Sequence, residues 1–403
     1  MRAAIAAAIM LSCIVTAHAE DLPLFRIGVL NDQSGLYADI DGPGSVAATQ
    51  MAVEDFKPET HGFKVEVLSA DHQNKADIGS SIARRWYDID KVDAIVDVPT
   101  SSVALAVAEV TRDKDKVLLV AGAGTSDLTG KNCSPNTVHW TYDTWALANG
   151  TARAMIKQGG TTWYFLTADY AFGHALERDA AEVVTANGGH VLGHALAPFQ
   201  TSDFSSFIMQ AKASGAKVVA LANSGGDTIN SVKQAAEFDL SQSQTLVSLL
   251  IFLSDIHAIG LKTAQGLMLT NAFYWNLNEG TRAFGKAFGA RNNGRMPTMN
   301  QAGSYAATLH WMKAIAAMDK TKARDGALVV AKMKEMSTDD PLFGTGRIRA
   351  DGRTIHDMYL WQVKSPAESK EPYDYLKLIA TIPGDEAFRP MATDVCPMLK
   401  KAG

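Results

Sequence analysis

Short apolar runs alternate along this chain with stretches whose apolar residues recur every three to four positions. The first kind predicts buried strands and the second predicts amphipathic helices. The run Phe25-Arg26-Ile27-Gly28-Val29-Leu30-Asn31 predicts a strand over 26–31, and a helix follows over 43–56. A strand over 63–70 precedes a helix over 75–87, a strand over 94–98 precedes a helix over 101–111, and a further strand covers 117–121. Such β-α-β alternation belongs to a parallel sheet covered on both faces. The pattern then restarts. Helices over 144–158, 171–186, 204–214 and 228–238 alternate with strands over 162–167, 190–196, 217–222 and 245–250. Two α/β halves without a close sequence repeat predict two domains of like architecture.

The last third differs. Helices over 281–288 and 301–318 have no strand between them, and a third follows over 327–336. After Gly344, Gly346, Asp351 and Gly352 come strand-like runs over 358–363 and 376–382. Late segments that join an earlier sheet imply that the chain crosses between its domains more than once.

A length of 403 residues exceeds what one hydrophobic core usually spans. With 47% hydrophobic and 20% charged residues, the composition excludes a disordered chain. A formal net charge of −5 without a basic block argues against a nucleic-acid partner. Met1-Arg2, an Ala-rich apolar run and Ala17-His18-Ala19 read as a secretory signal peptide over 1–19. Beyond it no apolar run approaches the ~18 residues of a membrane span. Cys13 falls inside the signal, and Met10-Leu11-Ser12-Cys13 lacks the Leu three residues before the cysteine that a lipid attachment site carries. Cys133 and Cys396 remain, an even count in an oxidising compartment. They point to a disulfide that ties the C-terminal tail to the first domain, with two isolated buried thiols as the alternative.

Several motifs fall short of enzyme chemistry. Gly122-Ala123-Gly124-Thr125-Ser126-Asp127 follows a strand like a dinucleotide fingerprint, but Asp127 replaces its third glycine. Ala222-Asn223-Ser224-Gly225-Gly226 sits where a hydrolase nucleophile elbow would, without the glycine two before Ser224. No HExxH is present, and His190 and His194 lie on a strand. No cofactor and no metal are expected. Two turns are more suggestive. Pro99-Thr100-Ser101-Ser102 and Ala123-Gly124-Thr125-Ser126 end adjacent parallel strands, where open α/β sheets bind ligands. Hydroxyls and free N–H groups there suit a carboxylate clamp, and plain N-capping by Ser and Thr is the alternative. Aromatics also gather at strand ends: Trp140 and Tyr142; Tyr170 and Phe172; Phe273, Tyr274 and Trp275.

Ser34-Gly35, Thr100-Ser101-Ser102, Gly124-Thr125, Tyr170-Ala171-Phe172-Gly173 and the segment 344–352 stand in an order and spacing that resemble a known family. That family is the type I periplasmic solute-binding proteins of ABC importers, in the leucine/isoleucine/valine-binding branch. The resemblance implies an α/β fold of two doubly wound parallel-sheet lobes joined by three crossovers, near 140–143, 270–274 and 343–349. Lobe 1 would take 20–141 with 274–346, lobe 2 would take 142–273 with 347–385, and the tail 386–403 would return to lobe 1. It implies no reaction, a monomer, and two partners: a small carboxylate and an inner-membrane permease. The ligand carboxylate would be held by Ser101 or Ser102, Thr100, Thr125 and the backbone of Ala123 and Gly124. Phe172 would flank the ligand, with Tyr37, Asn223, Tyr274 and Trp275 completing the site. Amino-acid binders of the family carry an acid on lobe 2 for the ligand ammonium. The matching stretch here is Leu249-Leu250-Ile251-Phe252-Leu253, and Asp255 lies past the position. The resemblance therefore favours an aromatic acid of benzoate or phenylpropanoid type, with a branched-chain amino acid or amide as the runner-up. An exported esterase-like hydrolase and the sensing part of a signalling system are the readings of other classes.

Overall fold

Near-continuous apolar runs fold as parallel strands because helices cover both faces of their sheets. The computed structural model describes residues 22–391 and 395–399, so the expected signal peptide lies outside the described residues. The first eight elements are β1 (Leu24–Asn31), α1 (Gly42–Phe56), β2 (Lys64–Asp71), α2 (Ala76–Asp88), β3 (Ala94–Asp97), α3 (Ser101–Asp113), β4 (Val117–Val120) and β5 (Thr137–His139). Their sheet runs β2-β1-β3-β4-β5, all parallel. Alternation divides its side chains. Phe25, Ile27, Val29, Val96 and Leu119 join one apolar cluster, while Leu30, Ile95, Leu118 and Val120 join a second with residues of α2 and α3. Sequence reading omitted β5, whose three residues are too short to show a period.

The chain then builds a second sheet system. It comprises α4 (Thr144–Lys157), β6 (Thr162–Ala168), α5 (Ala171–Ala186), β7 (His190–Ala197), α6 (Ser205–Ala213), β8 (Val218–Ala222), α7 (Gly226–Glu237), β9 (Thr245–Ser248), α8 (Leu253–Ile259), α9 (Leu261–Ala264) and β10 (Met268–Asn271). Its parallel sheet runs β7-β6-β8-β9. Residues 249–250, expected within the last strand, form the turn that leaves it.

Three helices return to the first lobe: α10 (Glu279–Arg291), α11 (Met299–Ala316) and α12 (Gly326–Glu335). Helix α11 packs along α1 and under β3 and β4. A small antiparallel sheet follows, of β11 (Thr338–Asp340), β12 (Gly344–Ile348) and β13 (Thr354–Ile355). The chain then crosses to β14 (Met358–Val363) and β15 (Leu376–Ile382), which pair antiparallel with each other and with β10. The short helix α13 (Gly384–Ala387) precedes the tail. The last passage thus follows β13, later than 343–349. One buried cation fastens two passages together. Arg353 Nη1 donates to the Tyr142 carbonyl at 2.7 Å, and His356 Nε2 lies 3.1 Å from the Trp140 carbonyl.

Cys133 and Cys396 form a disulfide across 263 residues of sequence, with Cα atoms 5.6 Å apart. A loop this long gives the bridge a stabilisation on the order of 2–5 kcal/mol in the chain-entropy picture. The double variant Cys133→Ser/Cys396→Ser is predicted to unfold at lower denaturant than the oxidised protein, and dithiothreitol to shift only the latter. Equal midpoints would contradict this.

Asp255 sits in the first turn of α8, and its Oδ2 accepts the Phe252 N–H at 2.9 Å. Burial raises its carboxyl to about 7. The folded protein then holds a proton that the unfolded chain releases near pH 3.9. Stability from this group is complete below that value and is lost as pH rises through about 7, by up to ~1.4 kcal/mol per unit. Asp255→Asn keeps the acceptor and removes the ionisation. The stability of this variant relative to the parent is predicted to grow from pH 4 to 7 and then level off in urea titrations. A constant difference would show that Asp255 ionises normally.

Candidate functional site

The carboxyl ends of β3 and β4 in the first lobe face those of β6, β8 and β9 in the second. A pocket lies between them, with about 220 Å³ of space that includes solvent at its mouth. The first lobe contributes Tyr37, Ile40, Asp41, Pro99, Gly122 and Asn300. The second contributes Tyr170, Phe172, Ser224, Leu250 and Phe252, and Tyr142 enters from the first crossover. Five of these side chains are aromatic, and the space open to a water-sized sphere is about 10 Å³, far below the ~300–1,000 Å³ of sites for drug-sized ligands.

The lobes touch across this pocket. The Tyr37 and Tyr170 hydroxyls lie 2.5 Å apart, and both rings lean on Phe199. Burial pushes both phenols up, so they stay protonated. Phe172 and Tyr142 press on Gly124. A Cβ there would lie 2.7 Å from Phe172 Cε2, so only glycine admits the ring. Further out, Ser126 Oγ donates to Asp179 Oδ2 at 2.7 Å, and Arg178 Nη1 meets Asp127 Oδ1 at 3.0 Å.

The two suggestive turns meet. Ser101 opens α3, and its Oγ accepts the Thr125 N–H at 3.2 Å, with both residues fully buried. Thr125 Oγ1 accepts the Asp127 N–H at 3.4 Å, a capping bond of the kind weighed against the clamp. Thr100 precedes α3 without capping it, and its hydroxyl donates to Asn74 Oδ1. Ser102 lies beside Ser101, partly exposed. The Ala123 carbonyl accepts from His139 Nε2 at 2.7 Å, and burial keeps that imidazole neutral. None of these expected clamp residues lines the pocket, although their chain neighbours Pro99 and Gly122 do.

Other expected residues part company. Asn223 braces its own turn, donating to Ser231 Oγ at 2.9 Å and accepting from Thr228 Oγ1 at 2.8 Å, while its neighbour Ser224 reaches the pocket. The Tyr274 hydroxyl and Trp275 Nε1 both donate to the Tyr373 carbonyl, at 2.8 and 2.9 Å, and neither lines the pocket. Leu250 and Phe252 do line it, and Asp255 does not. Sequence reading missed Asp41 and Asn300. Asp41 reads as a helix cap in a glycine-rich turn, and Asn300 lies 259 positions further on, in α11.

Comparison with known proteins agrees with this architecture. Residues 25–370 match a family model described as periplasmic binding protein. The curated Leu/Ile/Val-binding protein homolog 6 of Brucella melitensis is 25% identical over 232 residues, 57% of this chain and 58% of that protein, so the match spans little more than half of the relative. A periplasmic binding protein from Burkholderia mallei is 49% identical with a TM-score of 0.87, covering 91% of this chain and 96% of that one. A branched chain amino acid ABC transporter periplasmic ligand-binding protein from Burkholderia xenovorans is 38% identical with a TM-score of 0.82, covering 93% and 100%. A Rhodopseudomonas palustris solute binding protein in complex with benzoate shares the fold at 20% identity and a TM-score of 0.79, covering 89% and 97%. Two lobes facing across a small aromatic pocket, and a family match over most of the sequence, lead to one conclusion: this chain belongs to the periplasmic binding protein family.

Proposed function

We propose that this protein captures a small aromatic carboxylate by closing its two lobes on it, and delivers it to an ABC permease in the inner membrane. Binding, not conversion, is its task. The observation that carries the reading is the convergence of Tyr37, Tyr142, Tyr170, Phe172 and Phe252 on one small pocket from both lobes. A planar ring gains from burial among such faces, with ~0.5–1.5 kcal/mol per aromatic pair beyond area. Ser101 Oγ and the Thr125 N–H, in the turns that follow the lining residues Pro99 and Gly122, bond each other and would exchange that bond for a carboxylate once the lobes open. The R. palustris protein that shares this fold is described in complex with benzoate.

A branched-chain amino acid is the second reading. Asp41 is the residue that favours it, as an acid lining the pocket from the first lobe opposite the apolar wall of Leu250 and Phe252, although burial and the adjacent Asp97 push its carboxyl up toward the uncharged form. The Burkholderia xenovorans relative is described as a binder of that class.

Titration calorimetry with benzoate, a hydroxycinnamate, leucine and phenylalanine separates the two. Aromatic acids are predicted to bind at micromolar affinity or tighter, and leucine far more weakly. The reverse ranking would overturn the ligand assignment. Ser101→Ala is predicted to weaken every carboxylate ligand roughly 10–100-fold, the worth of one charge-assisted bond. Unchanged affinity would place the carboxylate elsewhere.

A further inference from the structure

The turn from β8 to α7 ends in two glycines, and they are glycine for different reasons. Gly225 has φ 60° and ψ −131°, a backbone that residues with a side chain rarely adopt. Gly226 is not among the glycines of positive φ. It opens α7, where a larger residue costs the backbone nothing. Outside its own helix and chain neighbours, a Cβ at Gly226 would find only Leu36 within 4 Å, with Cδ1 at 2.5 Å and Cγ at 3.4 Å. Leu36 belongs to the opposite lobe, in the turn between β1 and α1. Gly225 meets the same turn. A Cβ there would lie 2.9 Å from Tyr37 Cδ1 and 3.0 Å from the Leu36 carbonyl oxygen. The glycine pair is therefore a seat in the second lobe that Leu36 and Tyr37 of the first lobe occupy.

Both halves of this contact are held stiffly. Asp32 is fully buried and fixes the turn on either side of Leu36, accepting the Gly35 N–H at 2.7 Å and the Tyr37 N–H at 2.9 Å. Asn74 Nδ2 donates to the same carboxylate at 2.5 Å. Across the gap, Thr228 Oγ1 donates to Asn223 Oδ1 at 2.8 Å, and Asp227 Oδ2 accepts the Gln200 N–H at 3.2 Å. Tyr37 and Ser224 line the pocket, while Leu36 and Gly226 lie just beyond them and do not. A side chain at position 226 would thus obstruct the first lobe without entering the pocket.

Resting on capture by lobe closure, we propose that Leu36 and the Gly225–Gly226 seat position the lobes against each other, and that the Leu36–Gly226 fit sets the affinity for every ligand without contact to any. The apparent affinity of a protein falls by the fraction of molecules in the binding-competent form. A poorer fit between positions 36 and 226 lowers the closed fraction, so all ligands lose the same factor. A residue that touched the ligand would change their ranking instead.

Two experiments test this. With Leu36 Cγ 3.4 Å from a Cβ at position 226, cysteines at both positions can bridge, because a disulfide sets its Cβ atoms ~3.5–4.5 Å apart. Mild oxidation of ligand-free Leu36→Cys/Gly226→Cys should give a cross-linked peptide pair from positions 36 and 226 within one chain, read by mass spectrometry. Recovery of both as free thiols would overturn the proposal, and this arm needs no ligand. The second experiment is calorimetry with benzoate and leucine. Gly226→Leu should weaken whichever of them the parent protein binds by about tenfold or more, and by equal factors if it binds both. Adding Leu36→Ala to that variant clears the space and should recover most of the loss. Unchanged affinity in Gly226→Leu, or a loss that Leu36→Ala leaves in place, would overturn the proposal. Binding of leucine alone by the parent protein would overturn the aromatic-acid reading, while the same affinity ratios and the cross-link still decide the role of the seat.

Discussion

Closing two lobes face to face removes water from every polar group at the ends of their strands, and each must find another partner. Most of the structure around the pocket answers that demand. The Tyr142 hydroxyl donates to the Gly122 carbonyl at 2.6 Å, Tyr37 meets Tyr170, and the Thr125 N–H meets Ser101. Apolar faces fill the remaining wall. Asp41 leans on Asp97 and on the Asn300 amide at the floor of the pocket.

The supports of the pocket are remote in sequence and local in space. Tyr142 is held from behind by Arg353, itself fully buried and stacked over Phe388. Burial lowers that guanidinium to about 10, and Asp143 partly offsets the effect. The first and last passages between the lobes thus move as one piece, which suits a hinge of few residues. The disulfide acts at the other end of the chain, fixing the tail near Gly130 and away from the pocket.

Much of the fold was legible because apolar runs and helical periods alternate without interruption up to residue 238. The inner strands β1, β3, β4, β6 and β8 are buried on two faces, and this leaves a continuous apolar signature, whereas the edge strands β2 and β7 are largely exposed. The same signature fails for β5 and for β11 to β13, which are too short or too polar to show a period. The pocket was legible in part. Turns after β3 and β4 were recognisable from hydroxyl and glycine content, and Phe172 and Tyr37 do reach the pocket. Tyr274 and Trp275 carry the same aromatic signal yet face the Tyr373 carbonyl, because the direction of a side chain at a strand end depends on the neighbouring element. Asp41 was hidden by its own plausibility as a helix cap. Its failure to cap is visible only in three dimensions.

A crystal structure of the protein saturated with an aromatic acid tests the central claim most directly. The account predicts the ring between Phe172 and Phe252, its carboxylate toward Ser101 and Thr125, and both lobes closed on it. Density for the acid outside the pocket between the lobes, or a complex in which Asp41 and Ser101 both stand clear of the ligand, would contradict it.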